Sequence, residues 1–87
     1  MEENIIKLPA RYGYTHELRH IEGNLWQFEP DKKSSGTFRV IGFEGEYHVG
    51  INCSAFDPEG GPYMSVGGKI GNKIIKSITS NGVFELE

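Results

Sequence analysis

The chain has 87 residues, twelve of them glycine, and a net charge of −3 at pH 7. This length predicts one small domain, residues 1–87, and the acidic balance disfavours a nucleic-acid or anionic-membrane partner. The single Cys53 cannot form an internal disulfide, the start lacks the features of a secretion signal, and no apolar run could span a bilayer. We therefore expect a cytoplasmic protein outside any membrane.

The first third of the chain predicts short strands. Residues 4–8 read as an edge strand, because Pro9 cannot donate to a sheet ladder. Residues 14–21 fit either a strand or a helix by pattern alone. Residues 22–24, Glu-Gly-Asn, have the composition of a hairpin loop, and the apolar residues 25–28 follow. This hairpin signal favours strands on both sides of the loop.

The middle of the chain is its most legible part. Residues 29–36, EPDKKSSG, predict a flexible loop that opens in a proline turn. If Glu44-Gly45 then forms a two-residue hairpin turn, alternation places one set of side chains on a common face. We predict that this face is buried and consists of Phe38, Val40, Tyr47, Val49 and Ile51. The ring of Tyr47 is expected to cover Gly42, which has no side chain of its own to pack.

The last third alternates turns and short apolar segments. Residues 57–62 predict a turn, residues 62–66 a short strand, and Gly71-Asn72 another turn before the strand KIIKSI. Ser80-Asn81-Gly82 then leads into VFELE. The predicted fold class is all-β: a small barrel or two-sheet sandwich, built as an antiparallel meander of about eight short strands.

A weak internal repeat relates two parts of the chain. Asn24, Phe28 and an acid-Pro-acid turn recur at an offset of 28 residues as Asn52, Phe56 and a second such turn. One interpretation is duplication, which would give Phe28 and Phe56 equivalent positions. The other is that turns reuse the same few residue types.

The sharpest motif is HELRH, beginning at His16. It resembles the HExxH motif of zinc peptidases, and the resemblance implies that His16 and His20 bind zinc while Glu17 acts as general base. The further ligand position of the extended motif is Trp26, which cannot bind a metal. The site needs a helix, because on a strand the two histidines would stand about 13 Å apart. We predict that residues 14–21 are extended and bind no zinc, and keep a minimal zinc hydrolase as the alternative function.

No other constellation predicts catalysis. Cys53 and His48 would be an obvious thiol and base, but an odd spacing on one strand points them to opposite faces. The glycine-rich stretches lack the lysine and hydroxyl arrangement of a phosphate-binding loop. We therefore predict no catalytic residue, no metal and no cofactor, and the sequence indicates nothing about a small-molecule ligand.

The predicted function is that of a non-catalytic binding module. It would contact a protein partner, or a second copy of itself, through its turn loops and an exposed strand edge. The predicted binding residues are side chains that the turns push outward: Trp26, Phe56, Asp57 and Tyr63. Aromatic side chains at a rim of carboxylates are common interface anchors. The alternative for Trp26 and Phe56 is that they plug the two ends of the barrel.

Overall fold

The computed structural model describes residues 4–10, 13–34, 38–43, 45–51 and 63–87. These ranges contain eight strands and no α-helix, so the all-β prediction is confirmed. The strands are β1 Ile5–Lys7, β2 Glu17–Glu22, β3 Leu25–Glu29, β4 Phe38–Phe43, β5 Glu46–Ile51, β6 Lys69–Ile70, β7 Lys73–Ile78 and β8 Val83–Leu86. A 3-10 turn, Lys32–Ser34, follows β3. No helix in the described part of the chain is long and apolar enough to cross a membrane.

Six strands form one curled antiparallel sheet in the order β1-β2-β3-β8-β7-β6. The strands β1 to β3 make one meander and β6 to β8 another, and the pairing of Trp26 with Phe84 joins them. The strands β4 and β5 form a separate hairpin. The half-barrel therefore has two edges, β1 and β6, and the predicted edge position of β1 is confirmed.

The hydrophobic core lies between the curled sheet and the β4–β5 hairpin. Alternation along β3 and β8 directs one set of side chains inward, while the opposite set faces outward. Phe38 and Val49 bring the hairpin into the same cluster. The buried members are Leu8, Leu18, Trp26, Phe28, Phe38, Val49, Met64, Ile70, Ile75, Ile78, Phe84 and Leu86.

An irregularity in β7 keeps two isoleucines in this core. Ile75 and Ile78 are three residues apart, so a regular strand would point them to opposite faces. The register shifts between Ile75 and Ser77, which brings Ile75 opposite Leu86 and Ile78 opposite Phe84. Since an extra residue on one strand reverses the side-chain alternation, both isoleucines are buried.

The predicted register of the β4–β5 hairpin is confirmed. Val40 faces Val49 and Gly42 faces Tyr47, as the two-residue turn requires. The Tyr47 ring lies 3.4 Å from the point that a Cβ on Gly42 would occupy, so it covers the glycine as predicted. The prediction of burial is wrong for Tyr47, which is 41% exposed because it lies near the turn end of the hairpin. The side chain of Ile51 lies outside what the structure describes.

The region after the hairpin differs from the prediction. In place of a strand at residues 62–66, the described residues contain a single bridge between Met64 and Val49. The two-residue strand β6 was not predicted. Residues 52–62 lie outside the described ranges, and with them the second copy of the proposed repeat and the equivalence of Phe28 and Phe56.

Gly82 sits where the β7–β8 turn meets β3 and β4. Its φ of +85° favours glycine, and an added Cβ would approach Gln27 Nε2 at 3.2 Å and Val40 Cγ2 at 3.4 Å. We expect Gly82→Ala to lower the free energy of unfolding by roughly 2–3 kcal/mol, through backbone strain and crowding together. Urea denaturation would measure this loss.

The matched control is Gly71→Ala, because Gly71 also has a positive φ, +63°, but open space where a Cβ would lie. Strain alone should cost Gly71→Ala about 1 kcal/mol. Equal losses in the two variants would show that crowding at Gly82 contributes nothing.

Candidate binding groove

The two edge strands of the curled sheet line one groove of about 540 Å³. Its lining consists of Ile6, Lys7, Leu8, Pro9, Lys69, Ile70, Gly71, Asn72 and Lys73. Because β1 and β6 stand at opposite ends of the strand order, a shared groove means that the sheet curls until its edges face one another. The volume lies within the range of ordinary ligand sites.

The outer edge of β1 carries backbone groups that the sheet does not use. Leu8 N–H donates to His16 O at 2.9 Å, in register with the β1–β2 ladder. Hydrogen-bonded pairs alternate along an antiparallel ladder, so Ile6 also faces β2, whereas Ile5 and Lys7 point their N–H and C=O groups away from it. No backbone hydrogen bond joins Ile5 or Lys7 to another described segment on that side.

The edge of β6 is open in the same way. Ile75 N–H donates to Gly68 O at 2.9 Å, and Ile70 faces Lys73 across the Gly71-Asn72 turn. By the same alternation, Lys69 directs its N–H and C=O away from β7. Each wall of the groove therefore offers backbone donors and acceptors.

The groove has an apolar floor and a basic rim. Leu8 and Ile70 belong to the core and are 3% and 6% exposed. Lys7, Lys69 and Lys73 are exposed, and none of the described lining residues is a carboxylate, although the whole chain carries a net charge of −3. The described lining is therefore locally positive on an acidic protein.

The three lysines differ in their neighbours. Lys7 Nζ lies 3.3 Å from Glu17 Oε2 on the adjacent strand, an exposed pair of the kind that contributes little to stability. For Lys69 and Lys73, the described residues provide no carboxylate within ion-pair distance. Their charges remain available to an anion in the groove.

Tyr63, one of the predicted binding residues, supports the end of β1. Its hydroxyl donates to Pro9 O at 2.6 Å, and Pro9 lines the groove. Its ring lies against His16 and Phe38, each at a centroid distance of 5.3 Å. The structure thus places Tyr63 beside the groove, where it holds the wall in position.

His16 lies buried beneath this wall, with no solvent exposure, in a box of aromatic rings from Phe28, Phe38 and Tyr63. Its Nδ1 accepts the Asp31 N–H at 2.9 Å, so the neutral ring carries its proton on Nε2. Nε2 has no hydrogen-bond partner among the described residues. Burial lowers the pKa of His16, and the nearby Asp31 carboxylate opposes that change.

Asp31 fixes the loop that caps this histidine. Its two carboxylate oxygens accept backbone N–H groups, Oδ1 from Lys33 at 3.0 Å and Oδ2 from Thr15 at 3.1 Å. These hydrogen bonds, that from Lys33 first, lower the pKa of the Asp31 carboxyl. The loop therefore presents the Asp31 N–H to His16 from a fixed position.

All of HELRH except His16 lies in β2, Glu17–Glu22, so the predicted extended conformation is confirmed from Glu17 onward, and the absence of zinc binding stays a prediction. His20 Nε2 lies 2.9 Å from Gly23 O, and its ring contacts Trp26, whereas His16 sits in the buried box. The helix that the zinc-peptidase resemblance requires is not formed. Within the described ranges, no group of three or more His, Cys, Asp or Glu side chains could hold a metal.

Of the remaining predicted binding residues, the structure describes only Trp26, which does not line the groove. Trp26 is 9% exposed on β3 and packs in the core. Its role as an interface anchor stays a prediction. Phe56 and Asp57 lie outside the described residues.

The β6 side of the groove was not predicted from the sequence. The available signal was KIGNKI, residues 69–74, in which the same dipeptide flanks a Gly-Asn turn. A two-residue strand is too short to show alternation. The wall it forms therefore becomes visible only when the sheet curls.

The fold and the groove define a small β half-barrel whose two open edges face one cleft. Comparisons of the chain with protein-family models, curated proteins and solved structures find no match. The function is accordingly inferred from the geometry and charge of the groove.

Proposed function

We propose that this protein is a non-catalytic binding module that takes up an extended segment of a partner protein between β1 and β6. The observation that carries the proposal is that two edge strands, each with outward backbone groups, line the same groove. In strand addition, main-chain hydrogen bonds supply affinity and alternate side chains supply specificity.

A strand in this groove would complete the half-barrel. Neighbouring strands lie about 4.7–4.9 Å apart, and an inserted strand could accept and donate on both sides at once. The outward backbone groups of Ile5 and Lys7 would hydrogen-bond to one side of the inserted strand, and those of Lys69 would hydrogen-bond to its other side. Its inward side chains would rest on Leu8 and Ile70, which supply apolar contact area.

The composition of the lining supports binding in preference to hydrolysis. None of the nine described residues that line the groove is Ser, Thr, Cys, His, Asp or Glu. These are the side chains that most hydrolytic sites use as nucleophile or base. Backbone groups, an apolar floor and fixed charges are the components of a recognition site.

The lysines on the edge strands have a second explanation, and the experiment must distinguish it from a role in peptide binding. Natural sheets often place lysine on edge strands to prevent edge-to-edge aggregation. In that case Lys7 and Lys69 would keep the groove empty. Binding of an extended peptide distinguishes the two roles.

We expect peptides selected from a random displayed library to protect the amides of Ile5, Lys7 and Lys69 from hydrogen exchange. These N–H groups face the groove, so a bound strand would engage them. The amides of Ile6 and Ile70 provide the internal control, because both already face partner strands. Bound peptides that leave the first three amides exchanging freely would contradict strand addition.

A backbone substitution tests the same contact independently. Lys7→Pro removes an outward N–H without removing a β1–β2 ladder bond, so the fold should tolerate it. We expect it to bind the selected peptides roughly three- to tenfold more weakly than Lys7→Ala, since one hydrogen bond is lost. Equal affinity of the two variants, measured by calorimetry on folded protein, would show that this donor is not used.

A further inference from the structure

We infer that the segment taken up by the groove is acidic, with Asp or Glu at alternate positions and apolar residues between them. This inference rests on the proposed function and specifies its partner. Its basis is the rim, where Lys7, Lys69 and Lys73 occur and the part of the lining that the structure describes holds no carboxylate. Opposite charges on neighbouring strands stabilise pairing, whereas like charges oppose it.

The alternation follows from the two faces of the edge strands. On β1 the side chain of Lys7 is exposed, whereas its neighbours Ile6 and Leu8 turn towards the core. On β6 the side chain of Lys69 is exposed and that of Ile70 is buried. Side chains of an inserted strand alternate in the same way. Its outward residues would lie between Lys7 and Lys69, and its inward residues on the apolar floor.

Other anionic partners fit these observations less well. The nine described lining residues include no aromatic side chain on which nucleic-acid bases could stack, and the net charge of −3 opposes a polyanion. A lipid surface offers no ladder of donors and acceptors to the edges of β1 and β6. A second copy docking edge to edge through β1 would bring Lys7 close to its own counterpart, which disfavours pairing.

The experiment uses two capped synthetic peptides of equal length, one alternating Glu with Val and the other Lys with Val. Binding to the full chain is measured by calorimetry at low and high salt. The variant Lys69→Glu reverses a charge on the rim. The matched control is Lys32→Glu, because Lys32 is exposed on the 3-10 turn and does not line the groove. Circular dichroism confirms that each variant is folded.

We expect the Glu-Val peptide to bind, with an affinity that falls as salt rises and exceeds that of the Lys-Val peptide. Lys69→Glu should weaken binding roughly three- to tenfold, and Lys32→Glu should have little effect. Lys7→Pro should weaken the same peptide more than Lys7→Ala.

The contrary outcomes separate the two proposals. If both peptides bind equally and Lys7→Pro weakens both, strand addition stands and the acidic preference is overturned. If the Glu-Val peptide binds but Lys7→Pro matches Lys7→Ala, strand addition is overturned. Failure of the Glu-Val peptide in a protein that binds library peptides overturns the acidic preference alone. An oligonucleotide or an anionic vesicle that binds more tightly than the Glu-Val peptide overturns the partner class. Dimerisation that depends on protein concentration and that Lys69→Glu changes indicates that the partner is a second copy of the chain.

Discussion

Replacing Trp26 by alanine is expected to lower the free energy of unfolding by roughly 3–5 kcal/mol, a large part of the roughly 5–15 kcal/mol available to a small protein. Trp26 is 9% exposed and stands opposite Phe84, where β3 joins the two meanders into one sheet. Its removal would leave a cavity at that junction. Urea denaturation followed by circular dichroism measures the change.

The matched control for this variant is Ile21→Ala. Ile21 is also a large apolar residue on the β2–β3 hairpin, but it lies at the register shift in β2 and is 46% exposed. Its loss should change stability by less than about 0.5 kcal/mol. If Trp26→Ala changes stability as little as Ile21→Ala and instead weakens binding to a partner, Trp26 is an interface anchor, as the sequence analysis predicted.

Acidification is expected to destabilise the protein through His16. Protonation of this ring would place a charge inside an aromatic box and would break the Asp31 N–H bond to Nδ1. Because burial lowers the folded pKa below the ordinary value of 6.5, the unfolded chain binds more protons between those two pKa values. Stability is therefore greatest above pH 6.5 and falls as the pH drops from 6.5 towards the folded pKa.

The variant His16→Gln isolates this contribution, because its side-chain oxygen can accept the Asp31 N–H and does not titrate. We expect the variant to lose less stability on acidification than the natural protein, whatever its stability at neutral pH. The quantity to compare is the difference in the free energy of unfolding between the two proteins at each pH. The contributions of other titrating groups, Asp31 among them, are nearly the same in both proteins and largely cancel. Identical profiles would show that His16 is not held neutral by the fold.

Local features of the chain predicted the local structure well. The β4–β5 register follows from a two-residue turn and a period of two, both of which lie within fourteen consecutive residues. Pro9 marked the end of an edge strand, and the KIIKSI and VFELE segments became β7 and β8. Residues 17–21 of the ambiguous segment 14–21 lie in β2, as the hairpin signal that follows them favours.

Segments without a hydrophobic period were predicted less well. A bridge at Met64 was taken for a strand, and the two-residue β6 went unrecognised. The exposure of Tyr47 was also missed, because alternation gives the face of a residue but not how far the opposing layer reaches over it. These differences share one cause: pairing and burial depend on which segment lies alongside.

The sequence by itself determined the class of the fold, the turns at residues 23–24, 71–72 and 80–81, and the alternation of β4 and β5. The tertiary structure alone decided that β3 pairs with β8, that His16 is enclosed by rings from separate segments, and that the two sheet edges share one groove. Lys7 and Lys69 come from opposite ends of the chain, and no local pattern connects them. They line the same groove because twisted antiparallel strands curl as they accumulate, which brings distant edges to one cleft only after the whole sheet has formed.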